Sequence, residues 1–379
     1  MSTMRTMSSS KSMTIVYAVS VLLLAANILL APEAAFEASL TGLNIWWNYV
    51  FPVLLPYFIL IEMVIESGAL ERISSKLHPA SRRLLGIPGT GGAAVLTGWF
   101  AGYPAGAKFT SSVVKRHALD RIEGENILIL SHMCNPVLVI NLAAAAFLKD
   151  PAAGPYMLLV IFISFWIIAL LLHQRRTELP NRSAGMTEQA NEPMQPFGRL
   201  LSSSVKNAVQ QLFLIGGVII FFSVMIHAAS SFPKLHTLFA GMFEIHIGLY
   251  FISHMDAAHL VKITLITSAL TFGGLSVHMM TKSYMSGTGM RYRTFLFWKT
   301  LQTLIAASLS LLMWLPYQKL TAAIRPSFVS ESRGHPAALE AAAHIPSFWE
   351  MPIFGFLLIS CLSLFALMII RRSAKHDPR

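Results

Sequence analysis

Gly89-Thr90-Gly91-Gly92-Ala93-Ala94-Val95-Leu96-Thr97-Gly98-Trp99-Phe100-Ala101-Gly102-Tyr103-Pro104-Ala105-Gly106-Ala107-Lys108 is the stretch that decides how this chain folds. It is apolar enough to enter a membrane, yet glycine costs about 1 kcal/mol relative to alanine inside a helix. Pro104 also removes a backbone donor that a continuous helix needs. The stretch 89–107 is therefore expected to form a broken or re-entrant helix. Irregular backbone is tolerated at membrane depth only where it lines a cavity or is buried in protein, and its N–H groups are then available to anions or polar solutes. Packing through small residues explains the glycines and alanines but gives no reason for Tyr103-Pro104 with Lys108 one turn on.

The surroundings are not those of an ordinary soluble protein. Of 379 residues, 54% are hydrophobic and 12% charged, against about 25% charged in a soluble domain. Apolar runs at 13–31, 46–69, 126–148, 155–173, 207–231, 295–317 and 350–370 each approach the ~20 residues of a crossing. Only one of 238–254 and 261–280 is expected to cross. With 89–107 dipping in and returning, 22 of the 29 Lys and Arg residues fall in cytoplasmic segments and five outside, the asymmetry of the positive-inside rule. The formal charge of +11 thus describes topology, and nucleic acid is not an expected partner. The fold class is all-α: a polytopic membrane protein of about eight transmembrane helices plus re-entrant or broken helices, with both termini cytoplasmic.

The run 13–31 follows Arg5 and Lys11 as a signal peptide would, but it is too long for a signal core, and Pro32-Glu33 makes a poor cleavage site. It is expected to remain as the N-terminal transmembrane helix, 1–39. A segment of 40–173 follows, then a cytoplasmic linker 174–206 rich in Arg, Asn, Ser, Glu and Pro, a second segment 207–320, and an outer loop with a C-terminal helix, 321–379. An offset of 172 residues sets Phe100 on Phe272, Gly102 on Gly274, Ser111 on Ser283 and Arg121 on Arg293, which suggests two repeats. Cys134 and Cys361 both lie in apolar runs, so no disulfide framework is expected.

In the second run, Trp46 and Trp47 suit an outer interfacial belt, Pro52 and Pro56 a kink. Glu62 and Glu66, spaced i, i+4, share a face. Carboxylates in a span mark ion or proton paths by default; the alternative is pairing near the inner interface with Arg72 and Lys76. Asn135-Pro136 either unwinds its helix towards a solute or merely kinks it. Gly273-Gly274-Leu275-Ser276-Val277-His278 is a matching polar break. His236, His246, His254, His259 and His278 with Asp256 lack metal-ligand spacing, and no nucleophile elbow, P-loop or dinucleotide fingerprint occurs. No metal, cofactor or catalytic residue is expected.

Phe51-Pro52 through Glu62, Gly102-Tyr103-Pro104-Ala105-Gly106-Ala107-Lys108 and Gly273 through His278 together resemble the YlbJ family of sporulation integral membrane proteins over most of residues 40–320. That family is similar to a wider group with nucleoside recognition or gate domains, found in spore maturation proteins, ferrous iron transporters and concentrative nucleoside transporters. The resemblance implies a bacterial cell-membrane protein with two gate-like repeats and a role in spore cortex formation. The residues expected to meet a solute are Glu62, Gly102, Tyr103, Pro104, Gly106, Lys108, Asn135, Gly274, Ser276 and His278. The expected function is a transporter or gated pore, with the lipid bilayer and a small polar or ionic solute as partners and homo-oligomerisation left open. The alternative is a non-transporting scaffold that recruits cortex-building partners through its basic cytoplasmic face.

Overall fold

The computed structural model describes residues 18, 19, 21, 22, 24–26, 28–116, 119–174, 196–228 and 240–324. All regular secondary structure among the described residues is helical. Among the described residues, five helices are long and apolar enough to cross a membrane, and a bent pair makes six at most. The expected crossing at 350–370 lies outside the described residues, and the described part of 13–31 is helical.

The first long helix, Pro32–Glu66, consists of α1 (Pro32–Ile45), a π turn (Trp46–Val50) and α2 (Phe51–Glu66). Pro32 and Glu33 suit its first turn, one as a residue without a needed donor and the other as an anion at a positive helix end. Residues 32–45, which lie between the apolar runs 13–31 and 46–69, are thus helical. The kink expected at Pro52 and Pro56 is absorbed by the π turn, where Phe51 N–H donates to the Trp46 carbonyl five residues back and shifts the hydrogen-bond ladder ahead of the prolines.

The helix α8 (Phe197–Ala228) packs along α1 and α2. Small residues set the approach: a Cβ on Gly42 would lie 2.9 Å from Ser223 Cβ, and one on Gly216 2.6 Å from the Trp46 indole. The Trp46 N–H donates to the Leu212 carbonyl at 2.9 Å. Trp46 therefore fills the slot opened by Gly216 and is buried, contrary to its expected place in a lipid belt; Trp47 remains 56% exposed. The start of α8 at Phe197 also makes 197–206, expected as linker, part of a helix.

An amphipathic helix α3 (Ala69–Leu84) leads, through an 83° bend, into α4 (Gly89–Ala101). The chain then reverses at Gly102–Pro104 into α5 (Ala105–Lys115). At ~1.5 Å per residue, Gly98 and Gly106 would stand about 12 Å apart in one helix, but a Cβ on Gly106 would lie 2.9 Å from Gly98 Cα. Both glycines press on the Ser131 carbonyl at the end of α6 (Arg121–Ser131). The broken or re-entrant helix expected at 89–107 is thus a hairpin of two helices.

A second hairpin has no counterpart in the expectations. Helical residues 240–243 reverse at Glu244 into α9 (Ile245–His254), and a Cβ on Gly248 would overlap Gly241 Cα. The run 126–148, expected as one crossing, is broken: after α6 comes an extended stretch at 132–135, then the π-helical Leu138–Phe147. Between these, α7 (Ala153–Gln174) spans, as does α12 (Tyr292–Ile324) at the end of the described chain. The helices α10 (His259–Phe272) and α11 (Gly274–Tyr284) make one apolar segment, His259–Tyr284, so 261–280 and not 238–254 supplies the long helix of that region.

The offset that sets Gly102 on Gly274 also carries α3 onto α9, α4 onto α10, α5 onto α11 and α6 onto the start of α12. Side-chain ties define the two ends of the molecule. At one end Asp150 meets His259 at 2.8 Å. At the other, Glu66 accepts from Ser203, Ser204 and Asn207, and Glu125 accepts the Arg291 N–H at 2.8 Å.

Candidate functional site

Three interruptions meet at the centre of the molecule. Gly102 and Gly274 adopt φ values of +78° and +72°, a region that glycine enters at little cost, and the Tyr103–Pro104 peptide is cis. Tyr103 stacks on His132 with ring centroids 5.0 Å apart, and His132 lies 5.7 Å from His278. A Cβ at position 273 would stand 3.1 Å from His132 Nε2.

A broken helix in a membrane leaves carbonyls that must find donors inside the protein. Four side chains provide them. The Tyr57 hydroxyl donates to Phe100 O at 2.6 Å, and the Tyr103 hydroxyl to Leu270 O at 3.3 Å. His278 Nε2–H donates to Phe272 O at 2.9 Å, while its Nδ1 lies 3.0 Å from the Tyr292 hydroxyl. The Lys299 ammonium, fully buried, donates to His132 O at 2.8 Å and Gln302 Oε1 at 2.7 Å. Asn135 Oδ1 accepts the Leu138 N–H at 2.7 Å, capping the helix that restarts there. Ser276 is buried in the first turn of α11.

The backbone donors of the first break are also used internally. Gly102 N–H donates to Gly98 O, Tyr103 N–H to Met133 O, Gly106 N–H to Gly102 O and Lys108 N–H to Pro104 O. Gly106 serves the contact with Ser131, so the side chain of Lys108 is what this segment turns outward.

That side chain reaches a cavity of about 410 Å³ between α2 and α8 on one wall and α5 and α11 on the other. Glu62 and Ile65 come from α2, Pro104, Lys108 and Ser112 from the hairpin, and Met280 and Tyr284 from α11. Asn207, Gln210, Gln211 and Leu214 line it from α8, at i, i+3, i+4, i+7 spacing that places them on one face. Of the residues expected to meet a solute, Glu62, Pro104 and Lys108 line this cavity. Gly102, Tyr103, Asn135, Gly274, Ser276 and His278 belong to the break core. Glu66 faces α8, tying the two long helices together.

Three features escaped sequence reasoning. The amide face of α8 was visible as Asn207, Gln210 and Gln211 at the start of an apolar run. Lys299 stood alone in the run 295–317, a signal of buried function or pairing. Glu244, whose Oε2 accepts the Ile247 N–H at 2.9 Å and whose Oε1 lies 2.9 Å from His246 Nδ1, marks the tip of the second hairpin.

A family model described as Gate, nucleoside recognition, matches residues 48–148, which run from α2 through both breaks of the first half. The sporulation integral membrane protein YlbJ of Bacillus subtilis (strain 168) is 30% identical over 346 residues, 82% of this chain and 85% of that protein. No solved structure gives a significant match. Identity at that level, extending across most of both chains and joined to a multi-pass helical fold, establishes that the chain belongs to the YlbJ family of sporulation integral membrane proteins.

Proposed function

We propose that the protein is a transporter or gated pore for a small polar or ionic solute, that the cavity at Glu62 and Lys108 receives the solute from the cytoplasm, and that this movement serves spore cortex formation. The cavity carries the proposal. A carboxylate and amides inside an apolar body cost desolvation energy, and a cavity of about 410 Å³ lined by Glu62, Asn207, Gln210 and Gln211 falls in the ~300–1,000 Å³ range of small-molecule sites. Its position beside a re-entrant hairpin is the arrangement by which broken helices of secondary transporters present their sites. Segments 40–173 and 207–320 would act as two gate-like repeats, with the N-terminal helix and 321–379 flanking them and both termini in the cytoplasm.

The test is rescue of sporulation in a spore-forming host that lacks its own relative of this chain. Glu62→Gln, at wild-type membrane levels, is expected to abolish rescue, while Arg83→Glu, exposed near the end of α3, leaves it intact. The opposite pattern would identify a non-transporting scaffold that works through its basic face.

A further inference from the structure

Cations from α5, α6 and α11 gather round the turn that joins α11 to α12. That turn, 285–291, reads Met285-Ser286-Gly287-Thr288-Gly289-Met290-Arg291. A Cβ on Gly287 would lie 3.9 Å from Lys115 Cε at the end of α5, and one on Gly289 3.9 Å from Arg121 Cδ at the start of α6. Lys282 Nζ stands 5.6 Å from the centre of the Tyr292 ring, just beyond the turn. Like charges drawn together repel unless acids or an anion offset them. The neighbouring acids are committed: Glu125 accepts the Arg291 N–H at 2.8 Å and meets Arg121 Nε only at 3.8 Å, while Asp120 and Glu123 close the capping box of α6. Lys115 and Lys282 have no ion pair among the described residues.

The backbone of the turn adds donors. Ser286, Thr288, Met290 and Arg291 give their N–H groups to Ser283 O, Met285 O, Thr288 Oγ1 and Glu125 Oε1. Those of Gly287 and Gly289 have no acceptor among the described residues. Both glycines have positive φ, +77° and +71°, and left-handed residues alternating with ordinary ones turn N–H groups into a shared concavity that takes anions. A phosphate group, with its several strong acceptor oxygens, answers lysine, arginine and N–H donors together. We propose that the 285–291 turn, with Lys115, Arg121 and Lys282, is a binding site for a phosphate group, carried by a soluble phosphomonoester or by an anionic lipid of the adjoining leaflet. The site lies apart from the cavity of Glu62 and Lys108, at the end of the same wall. Lys108, Ser112 and Lys115 follow i, i+4, i+7 along α5, and Met280 and Tyr284 on α11 line the cavity before the turn begins. A phosphate held there clamps the end of α5 to the α11–α12 turn, whichever solute the cavity takes.

Purified full-length protein in phosphatidylcholine nanodiscs tests the site by thermal melting and by amide hydrogen exchange across 286–290. Inorganic phosphate and glycerol 3-phosphate are compared with succinate and chloride at equal ionic strength, and a parallel set of nanodiscs carries phosphatidylglycerol. A raised melting temperature with slowed exchange at Gly287 and Gly289 is expected. Response to the soluble phosphates alone identifies a phosphomonoester, to phosphatidylglycerol alone a lipid headgroup, and to both a phosphate site open to either. Against whichever source protects, Lys115→Gln and Arg121→Gln should each raise the half-maximal amount about tenfold, as expected for loss of a charged hydrogen bond, and Lys115→Arg should restore most of the response. Lys319→Gln, which removes an exposed lysine far along α12, should leave it unchanged. Equal protection by succinate or chloride, no protection under any of these conditions, or full protection in both Gln variants would overturn the site.

Discussion

At Gly98 a single methyl group would meet the Ser131 carbonyl, and at Gly106 the same carbonyl blocks the opposite side of the hairpin. Backbone atoms cannot step aside as a side chain can, so Gly98→Ala should cost stability near the upper end of the ~1–3 kcal/mol typical of overpacking. Gly217→Ala, with nothing nearby, should be neutral in the same melting experiment. Lys299 tests the opposite effect, removal of a donor. Lys299→Ala strips the His132 carbonyl and Gln302 of their buried partner and leaves a void, so a loss of roughly 3–5 kcal/mol is expected. Lys299→Met fills the volume and removes the need to bury a charge, and its loss should be clearly smaller by the same melt. At this scale Glu62 and Lys108 were legible because a charge in an apolar run must have a use. Lys299 was equally visible, but its acceptor is a carbonyl 167 positions away, exposed only by a tertiary break, and no local pattern encodes that.

Among the elements, legibility followed the punctuation. Gly102 with Pro104, Asn135 with Pro136, and Gly273-Gly274 all mark breaks, because each either admits left-handed backbone or removes a donor. The reversal at Glu244 carries no such mark. It is written as Gly241 and Gly248 on either side of a carboxylate, where the glycines let the two arms touch and the carboxylate caps α9. The π turn that carries α1 into α2 was illegible for a different reason: proline announces the lost donor but not which ladder shift will absorb it. The cap can be weighed directly. Glu244→Leu removes the acceptor of the Ile247 N–H and should cost about 0.5–2 kcal/mol, with faster amide hydrogen exchange confined to the first turn of α9. Glu244→Gln keeps an acceptor and should protect that amide nearly as well. Uniformly faster exchange through α10 in the Leu variant would instead make Glu244 a support of the whole break core.

On the scale of the whole molecule the two hairpins enter from opposite ends. The tip of α4–α5 and the tip at Glu244 both approach the Gly273–Gly274 break, since Tyr103 bonds Leu270 and a Cβ on Gly274 would lie 3.3 Å from Ile245 N. The arms of the first hairpin return to the end held by Glu66–Ser203 and Glu125–Arg291, and α9 runs out to the end held by Asp150–His259. Lysine and arginine are unequally shared between these ends: Arg82, Arg83, Lys115, Arg116, Arg121, Lys282, Arg291 and Arg293 crowd the first, against Lys149, Lys262 and Lys319 at the second. The positive-inside rule favours the orientation proposed above, in which the first end, and with it the cavity of Glu62 and Lys108, faces the cytoplasm. In a background with Cys134→Ala and Cys361→Ser, an impermeant maleimide added to intact cells should modify Ala152→Cys, exposed beside Asp150, and spare Ser286→Cys, exposed after α11, until the membrane is opened. The reverse pattern would place the cavity on the outer face, so that Glu62 and Lys108 would meet solutes arriving from outside the cell and the sense of gating would invert. Modification of both without permeabilisation would mean that α10–α11 does not separate the two ends as a spanning segment.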